Sequence, residues 1–256
     1  MIDLNQTQQY TLSIRLCADG FSFRIFNPTD EDNSSLTEFK TDDSISMTAN
    51  LKKAFDGSES LNKKYKRVNV IMASRRYTTI PLDFFDDEQA EIIFHFNHPK
   101  IENETICYNI LKNKDIVILF GIDKSAKKFI FEQYPEAQFY SQASPLLEYF
   151  SAKSKIGNTN KMFVSIRKET IDIFCFKKGK IQLVNSFECN ETTDRMYYIL
   201  YTWKQQQFDQ QYDEIQLTGI MNDKEQFIKE LRKYIYHVFI MNPSTDIDLQ
   251  VINTCG

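Results

Sequence analysis

Thr11-Leu12-Ser13-Ile14-Arg15 and Phe163-Val164-Ser165-Ile166-Arg167 are the two stretches on which the fold turns. Each is a short apolar run ending in Ser-Ile-Arg, and each opens the same succession of patterns. Around the first, Tyr10, Leu12, Ile14 and Leu16 alternate on one face, Asp19-Gly20 offers a turn, and Phe21, Phe23 and Ile25 alternate again. That is the pattern of a β-hairpin. A third strand is expected at 36–40. A helix is expected at 44–55, with Leu51, Ala54 and Phe55 on one face and Gly57 as its stop. Residues 68–73 are almost continuously apolar, as in a strand buried on both faces. Around the second stretch the order returns: strands at 162–166, 171–176 and 181–187, a helix at 192–204, and a short strand at 215–217 ending in Thr218-Gly219. A helix from Asp223 to about 236 and a strand at 238–241 follow. The recurrence predicts two copies of one folding unit.

The first copy is the longer. Residues 77–122 hold an apolar run broken by Pro81, a helix opened by Asp86-Asp87-Glu88, and two runs joined by Lys112-Asn113-Lys114-Asp115. Acidic residues in a first turn suit the positive end of the helix dipole. Asp123 caps a helix to about 134, a strand follows at 137–140, and Ser144-Pro145 starts another helix in the favoured cap-then-proline order. Polar residues 151–160 read as the linker. The expected division is therefore 1–155, with inserted elements near 77–122, and 156–256.

Composition excludes several classes. Phe and Tyr number 21 and 13 against a single Trp, so aromatic cores are expected. A net charge of −4 argues against a nucleic-acid partner. Lys63-Lys64-Tyr65-Lys66-Arg67 leads straight into an apolar run and reads as a solvated connection. The five cysteines form no CxxC pair and are odd in number, which suits free thiols in a reducing compartment. Met1-Ile2-Asp3-Leu4-Asn5-Gln6 lacks a basic, then apolar, leader, and no apolar run reaches membrane-spanning length, so a cytoplasmic location is expected.

Three antiparallel strands extended by parallel strands through helices describe a ribonuclease-H-like unit, and two in tandem describe the actin-like ATPase architecture. The chain resembles a bacterial family of unknown function with that fold, domain-of-unknown-function family 3822. More distantly it is similar to the actin-like protein on the cytoplasmic side of type IV pilus machines. That second likeness rests on residues 77–82 before an acidic helix, on 116–120 followed by 123–134, and on the strand 137–140. The resemblance implies a nucleotide cleft. Actin-like ATPases place Asp-x-Gly in the first hairpin of each half, where the Asp orders Mg²⁺ or water and Gly admits phosphate, and a Gly-Gly pair beside the nucleoside. Here the hairpins carry Ser13-Ile14-Arg15-Leu16-Cys17 and Ser165-Ile166-Arg167-Lys168-Glu169, and Leu217-Thr218-Gly219-Ile220 replaces the glycine pair. None of the seven glycines is adjacent to another. The expected function is a non-catalytic scaffold that binds another protein, without a cofactor. The alternative is a divergent nucleotide-binding ATPase, with Arg15, Arg167, Lys168, Thr218 and Gly219 as its cleft candidates.

Other constellations read as structural. Glu91, His95 and His98 suit a helix end before Pro99 rather than a metal site. Asp86, Asp87 and Glu88 suit a capped helix start. Asp209, Asp213 and Glu214 flank a Gln-rich stretch that reads as an exposed loop. Tyr197, Tyr198, Tyr201 and Trp203 cover more than one helix face, part core and part exposed. A metal-dependent ribonuclease-H-like enzyme would need a carboxylate at Ser13 or Ser165. Asp19 and Asp172 are the nearest, and alternation places Asp172 on the outer face of its strand.

Overall fold

The computed structural model describes residues 2–18, 20–219, 224–241 and 246–252. Asp19, Asp223 and Cys255 lie outside the described residues, so the turn, helix start and thiol read at those positions are not described. The chain divides into two compact units, Met1–Ser144 and Pro145–Gly256.

The first unit opens with β1 (Thr11–Cys17), β2 (Gly20–Asn27) and β3 (Asp30–Lys40), then α1 (Met47–Asp56) and β4 (Arg67–Ala73). Ser46 caps α1 by accepting from the Ala49 amide at 3.2 Å. An inserted region follows: β5 (Tyr77–Pro81), α2 (Ala90–Asn97), β6 (Glu104–Leu111) and β7 (Ile116–Asp123). The unit closes with α3 (Lys124–Gln133) and β8 (Gln138–Ser141). Its main sheet has the order β3-β2-β1-β4-β8, and the inserted strands form their own sheet, β5-β7-β6. Leu12, Ile14 and Leu16 share a face with Phe21, Phe23, Val68 and Val70 through the cross-strand register. Phe55 of α1 meets Phe23 and Phe129 edge-on, with ring centroids 6.4 and 5.1 Å apart. The other face carries Ser13, Arg15, Arg24 and Asn69.

Polar side chains fix the insertion. The amide of Asn109 on β6 donates to the Phe139 carbonyl of β8 at 2.8 Å, and its oxygen accepts from the Ser141 amide at 2.9 Å and the Ser144 hydroxyl at 2.7 Å. It thereby occupies backbone groups on the edge of the main sheet. Arg76 grips Glu104 with two bonds, at 2.8 and 2.6 Å, and donates to the Pro99 carbonyl at 2.7 Å. Gly121 leaves room for this pair, because a Cβ there would stand 2.1 Å from the Glu104 carboxylate.

The second unit holds most of α4 (Ala143–Ser154), then β9 (Lys161–Ile166), β10 (Thr170–Lys177), β11 (Lys180–Glu188), α5 (Thr192–Gln205), β12 (Glu214–Gly219), α6 (Lys224–Leu231), β13 (His237–Ile240) and α7 (Ile247–Val251). Its sheet order is β11-β10-β9-β12-β13, the order of the first unit repeated. Met162, Val164, Ile173 and Leu217 pack with Ile199, Trp203 and Phe227 on one face. On the other, Phe150 of α4 stacks on Phe163 at 4.7 Å and meets Phe174 edge-on at 5.0 Å. The stretch read as a polar linker thus begins inside a buried helix. Ser151 and Ser154 are buried, and the Ser154 hydroxyl satisfies itself on the Ser151 carbonyl at 2.8 Å. Composition alone does not reveal such self-bonded serines.

Candidate functional site

The two Ser-Ile-Arg segments take the same place in their sheets and end differently. In the first unit Arg15 is still within β1, opposite Ser22, and donates to its hydroxyl at 3.0 Å. In the second, β9 ends at Ile166, and the Arg167 amide closes a tight turn on the Thr170 carbonyl at 2.9 Å. The Arg167 guanidinium lies 3.2 Å from the Asp172 carboxylate, whose side chain has no exposure to water. The outer-face position expected for Asp172 is therefore wrong. β10 is covered on both faces, so alternation there separates two buried sides rather than inside from outside. A carboxylate on such a strand needs a partner, and Arg167 supplies it.

The turn itself is held from α5. Arg195 is buried and donates from one nitrogen to the carbonyls of Arg167 and Lys168, at 3.0 and 2.7 Å. Sequence reasoning missed this residue. Its spacing was the available signal, because Arg195 precedes Ile199 by four residues and Trp203 by eight and so lies on the buried face of α5, and the fold brings the turn above it. Lys168 is exposed, 3.6 Å from Glu169, and borders an open recess of about 690 Å³ with Glu169, Glu191, Thr192 and Arg195. The recess meets the start of α5, where helix amides attract anions in general. Here carboxylates already hold those amides: Glu191 and Asp194 form a reciprocal capping box, with Asp194 accepting from the Asn190 and Glu191 amides at 3.1 Å each.

Thr218 is buried and pairs with Ser165, and Gly219 pairs with Ile166 at the end of β12. Gly219 has φ of 101°, and a Cβ on it would stand 1.9 Å from the Ile166 carbonyl oxygen. Its missing side chain is used by the neighbouring strand. Ser13 is buried, and its hydroxyl has no hydrogen-bond partner among the described residues.

The remaining candidates fall apart as chemical groups. His98 Nε2 lies 3.0 Å from the Tyr77 carbonyl, and His95 Nδ1 lies 3.2 Å from the His98 carbonyl. Burial lowers the His98 pKa, and the contact with Tyr77 opposes this only in part. No group of three His, Cys, Asp or Glu side chains poised to hold a metal occurs among the described residues. Asp86 caps the short turn before α2 by accepting from the Glu88 amide at 3.0 Å. Asp213 is not in an exposed loop but buried, and it accepts from the Asn160 amide at 3.0 Å and the Asp209 amide at 2.7 Å. Glu214 meets Lys161 at 2.7 Å. Trp203 is core, whereas Tyr197 and Tyr201 are exposed and stack on each other at 5.8 Å. Cys175 and Cys189 are buried free thiols, and burial pushes the Cys175 pKa up to about 12.

Two sheets of one strand order, each opened by an antiparallel meander and continued by parallel strands, define the actin-like ATPase fold. The chain belongs to the family described as Protein of unknown function (DUF3822), whose model matches residues 1–238. A crystal structure from Bacteroides thetaiotaomicron VPI-5482, described as a protein with actin-like ATPase fold and unknown function, is 56% identical, with TM-score 0.94 and 100% of both chains covered. Two further structures share the fold at low identity. The PilM–PilN type IV pilus biogenesis complex matches at 12% identity and TM-score 0.55, over 91% of this chain and 88% of that one. The ethanolamine utilization protein EutJ from Carboxydothermus hydrogenoformans matches at 10% identity and TM-score 0.54, over 96% and 90%. No curated protein gives a significant match. No helix among the described residues is long and apolar enough to cross a membrane.

Proposed function

We propose that this chain is a non-catalytic actin-like scaffold that binds another protein in the cytoplasm. One observation carries the reading: the side chains at both hairpins are spent on the protein's own structure. Arg15 bonds Ser22, Arg167 faces Asp172, and Gly219 accommodates Ile166. A triphosphate needs converging amides, a cationic clamp and a carboxylate-anchored metal. At the hairpins, Ser13 and Ser165 stand where that carboxylate would begin, and the carboxylate nearest the second hairpin is buried beneath an arginine. Buried free thiols such as Cys175 and Cys189 suit a reducing compartment. A protein partner agrees with the complex that PilM forms with PilN on the same fold.

The test is a thermal melt with and without ATP–Mg²⁺, with ADP and magnesium-only controls. A ligand at about 100 times its Kd adds about 2.7 kcal/mol and raises Tm by several degrees. The expected result is no shift. An upward shift abolished by Arg15→Ala or Arg167→Ala overturns the scaffold reading in favour of a divergent nucleotide-binding protein.

A further inference from the structure

The inserted region turns apolar side chains outward as well as inward. Along α2, Ala90 and Phe94 are buried against Ile80, Val117 and Leu119. Ile92 and Phe96, four residues apart and hence one turn above the other, are 73% and 90% exposed. Phe84, on the turn leading to this helix, is 75% exposed. Single exposed apolar residues are ordinary, but a helix with an apolar stripe on each side has one side without a partner.

The segment's own charge is one-sided. Asp83, Asp86, Asp87, Glu88 and Glu91 are all exposed, and no lysine or arginine occurs between Tyr77 and His98. Glu88 lies in the short 3-10 turn just before α2, and Glu91 lies in the first turn of α2 next to Ile92. A second copy of this chain is a poor occupant, because a self-complementary contact sets these carboxylates against themselves. An anionic lipid surface or a nucleic acid is repelled for the same reason.

We propose that the Ile92–Phe96 face of α2 docks a basic amphipathic helix of a partner protein. Apolar residues of that helix, spaced three and four apart, pack on Ile92, Phe96 and Phe84, while its flanking lysines or arginines meet the surrounding carboxylates. The proposal rests on the protein-binding reading above and names the surface and chemistry of the partner.

The probe is a fluorescein-labelled amphipathic helical peptide built from leucine and lysine, compared with one in which glutamate replaces lysine. Fluorescence anisotropy is measured on the intact chain and on the Ile92→Ser/Phe96→Ser double variant. Both positions are exposed, so the variant keeps its fold, and an unchanged thermal melt verifies that. The expected result is that the lysine peptide binds at least about tenfold more tightly than the glutamate peptide, that added salt weakens it, and that the double variant loses about tenfold. Equal binding of both peptides, or unchanged binding by the double variant, overturns the proposal. Partition of the chain onto phosphatidylcholine vesicles that the double variant loses also overturns it, in favour of a lipid surface. Co-purification of one native partner equally with wild type and double variant removes this surface while leaving the scaffold reading standing. The nucleotide melt decides that reading separately.

Discussion

The two sheets share a strand order and a register, and they differ in what the register is used for. In the first, Ser13 lies opposite Arg24 and Asn69; in the second, Ser165 lies opposite Asp172 and Thr218. One residue on, Ile14 pairs with Val70, and Ile166 pairs with Gly219. β1 and β4 then run on together as far as Cys17 and Ala73, whereas β9 ends at Ile166. The early stop leaves Arg167 in a turn, where it faces Asp172 and offers its carbonyl to Arg195. The same three residues therefore hold a strand in one unit and end one in the other. What sets their role is where the strand that carries them ends, not the motif.

The strongest way to break this comparison is at its point of divergence. Gly219→Ala puts a methyl group 1.9 Å from the Ile166 carbonyl oxygen on a backbone with φ of 101°. Strain and overpacking together are expected to cost about 4 kcal/mol. The matching change in the first unit removes bulk instead: Val70 is fully buried, and Val70→Ala is expected to cost about 2 kcal/mol through its cavity. Denaturant melts of both variants test the pair. If adding a methyl at 219 proves milder than removing two at 70, the close approach at Gly219 is not what ends the strand.

A second test concerns how each sheet is entered. β9 and β12 start with Lys161 opposite Glu214, and the Lys161 side chain is only 4% exposed. Glu214→Gln leaves that ammonium buried without its counter-charge. The expected cost is about 3 kcal/mol, the low end for a broken buried pair, because 21% of the Glu214 side chain still meets water. Burial raises the Glu214 pKa, but hydrogen bonds from Lys161 and Thr159 outweigh it and hold the carboxyl below its usual 4.5. The unfolded chain then binds the proton first as pH falls. This contribution is fully present above about 4.5 and is lost as pH drops through the folded value. Stability of the variant should accordingly vary less with pH below 4.5 than that of the wild type. Equal slopes in urea melts at several acidic pH values would remove Glu214 from the account.

Much of this was legible before the structure. The repeated hairpins, the buried strand 68–73 and the Asp123 cap follow from alternation and end chemistry, and the Asp123 carboxylate does accept from the Ala126 amide at 2.7 Å. What was not legible depends on which faces are covered. Asp172 reads as exposed only if one side of its strand meets water, and nothing in residues 170–177 says that α4 lies over the second side. Asp213 reads as a surface charge because one partner, the Asn160 amide, is distant in sequence. The exposed stripe of α2 hides for the opposite reason. A helix apolar on both sides looks from its sequence like a buried one.

The smallest expected effect separates the two serines that the repeat makes equivalent. Ser13 is 1% exposed, and its hydroxyl lacks a hydrogen-bond partner among the described residues, so the folded state bears part of the cost of dehydrating that group. Ser13→Ala removes the oxygen, keeps the β-carbon and leaves a gap smaller than a methyl group. It should stabilise the protein by up to about 1 kcal/mol, which is roughly 2–4 °C in Tm for a chain of this size. Were Ser13 held in place for metal or phosphate chemistry, as a carboxylate is in catalytic relatives of this fold, the hydroxyl would sacrifice stability for activity, and its loss would also abolish ligand-induced shifts. On the scaffold reading the gain comes alone. A Tm that falls by more than a degree in Ser13→Ala would show that the hydroxyl is satisfied in solution, and the contrast between the two copies of Ser-Ile-Arg would then rest on their arginines.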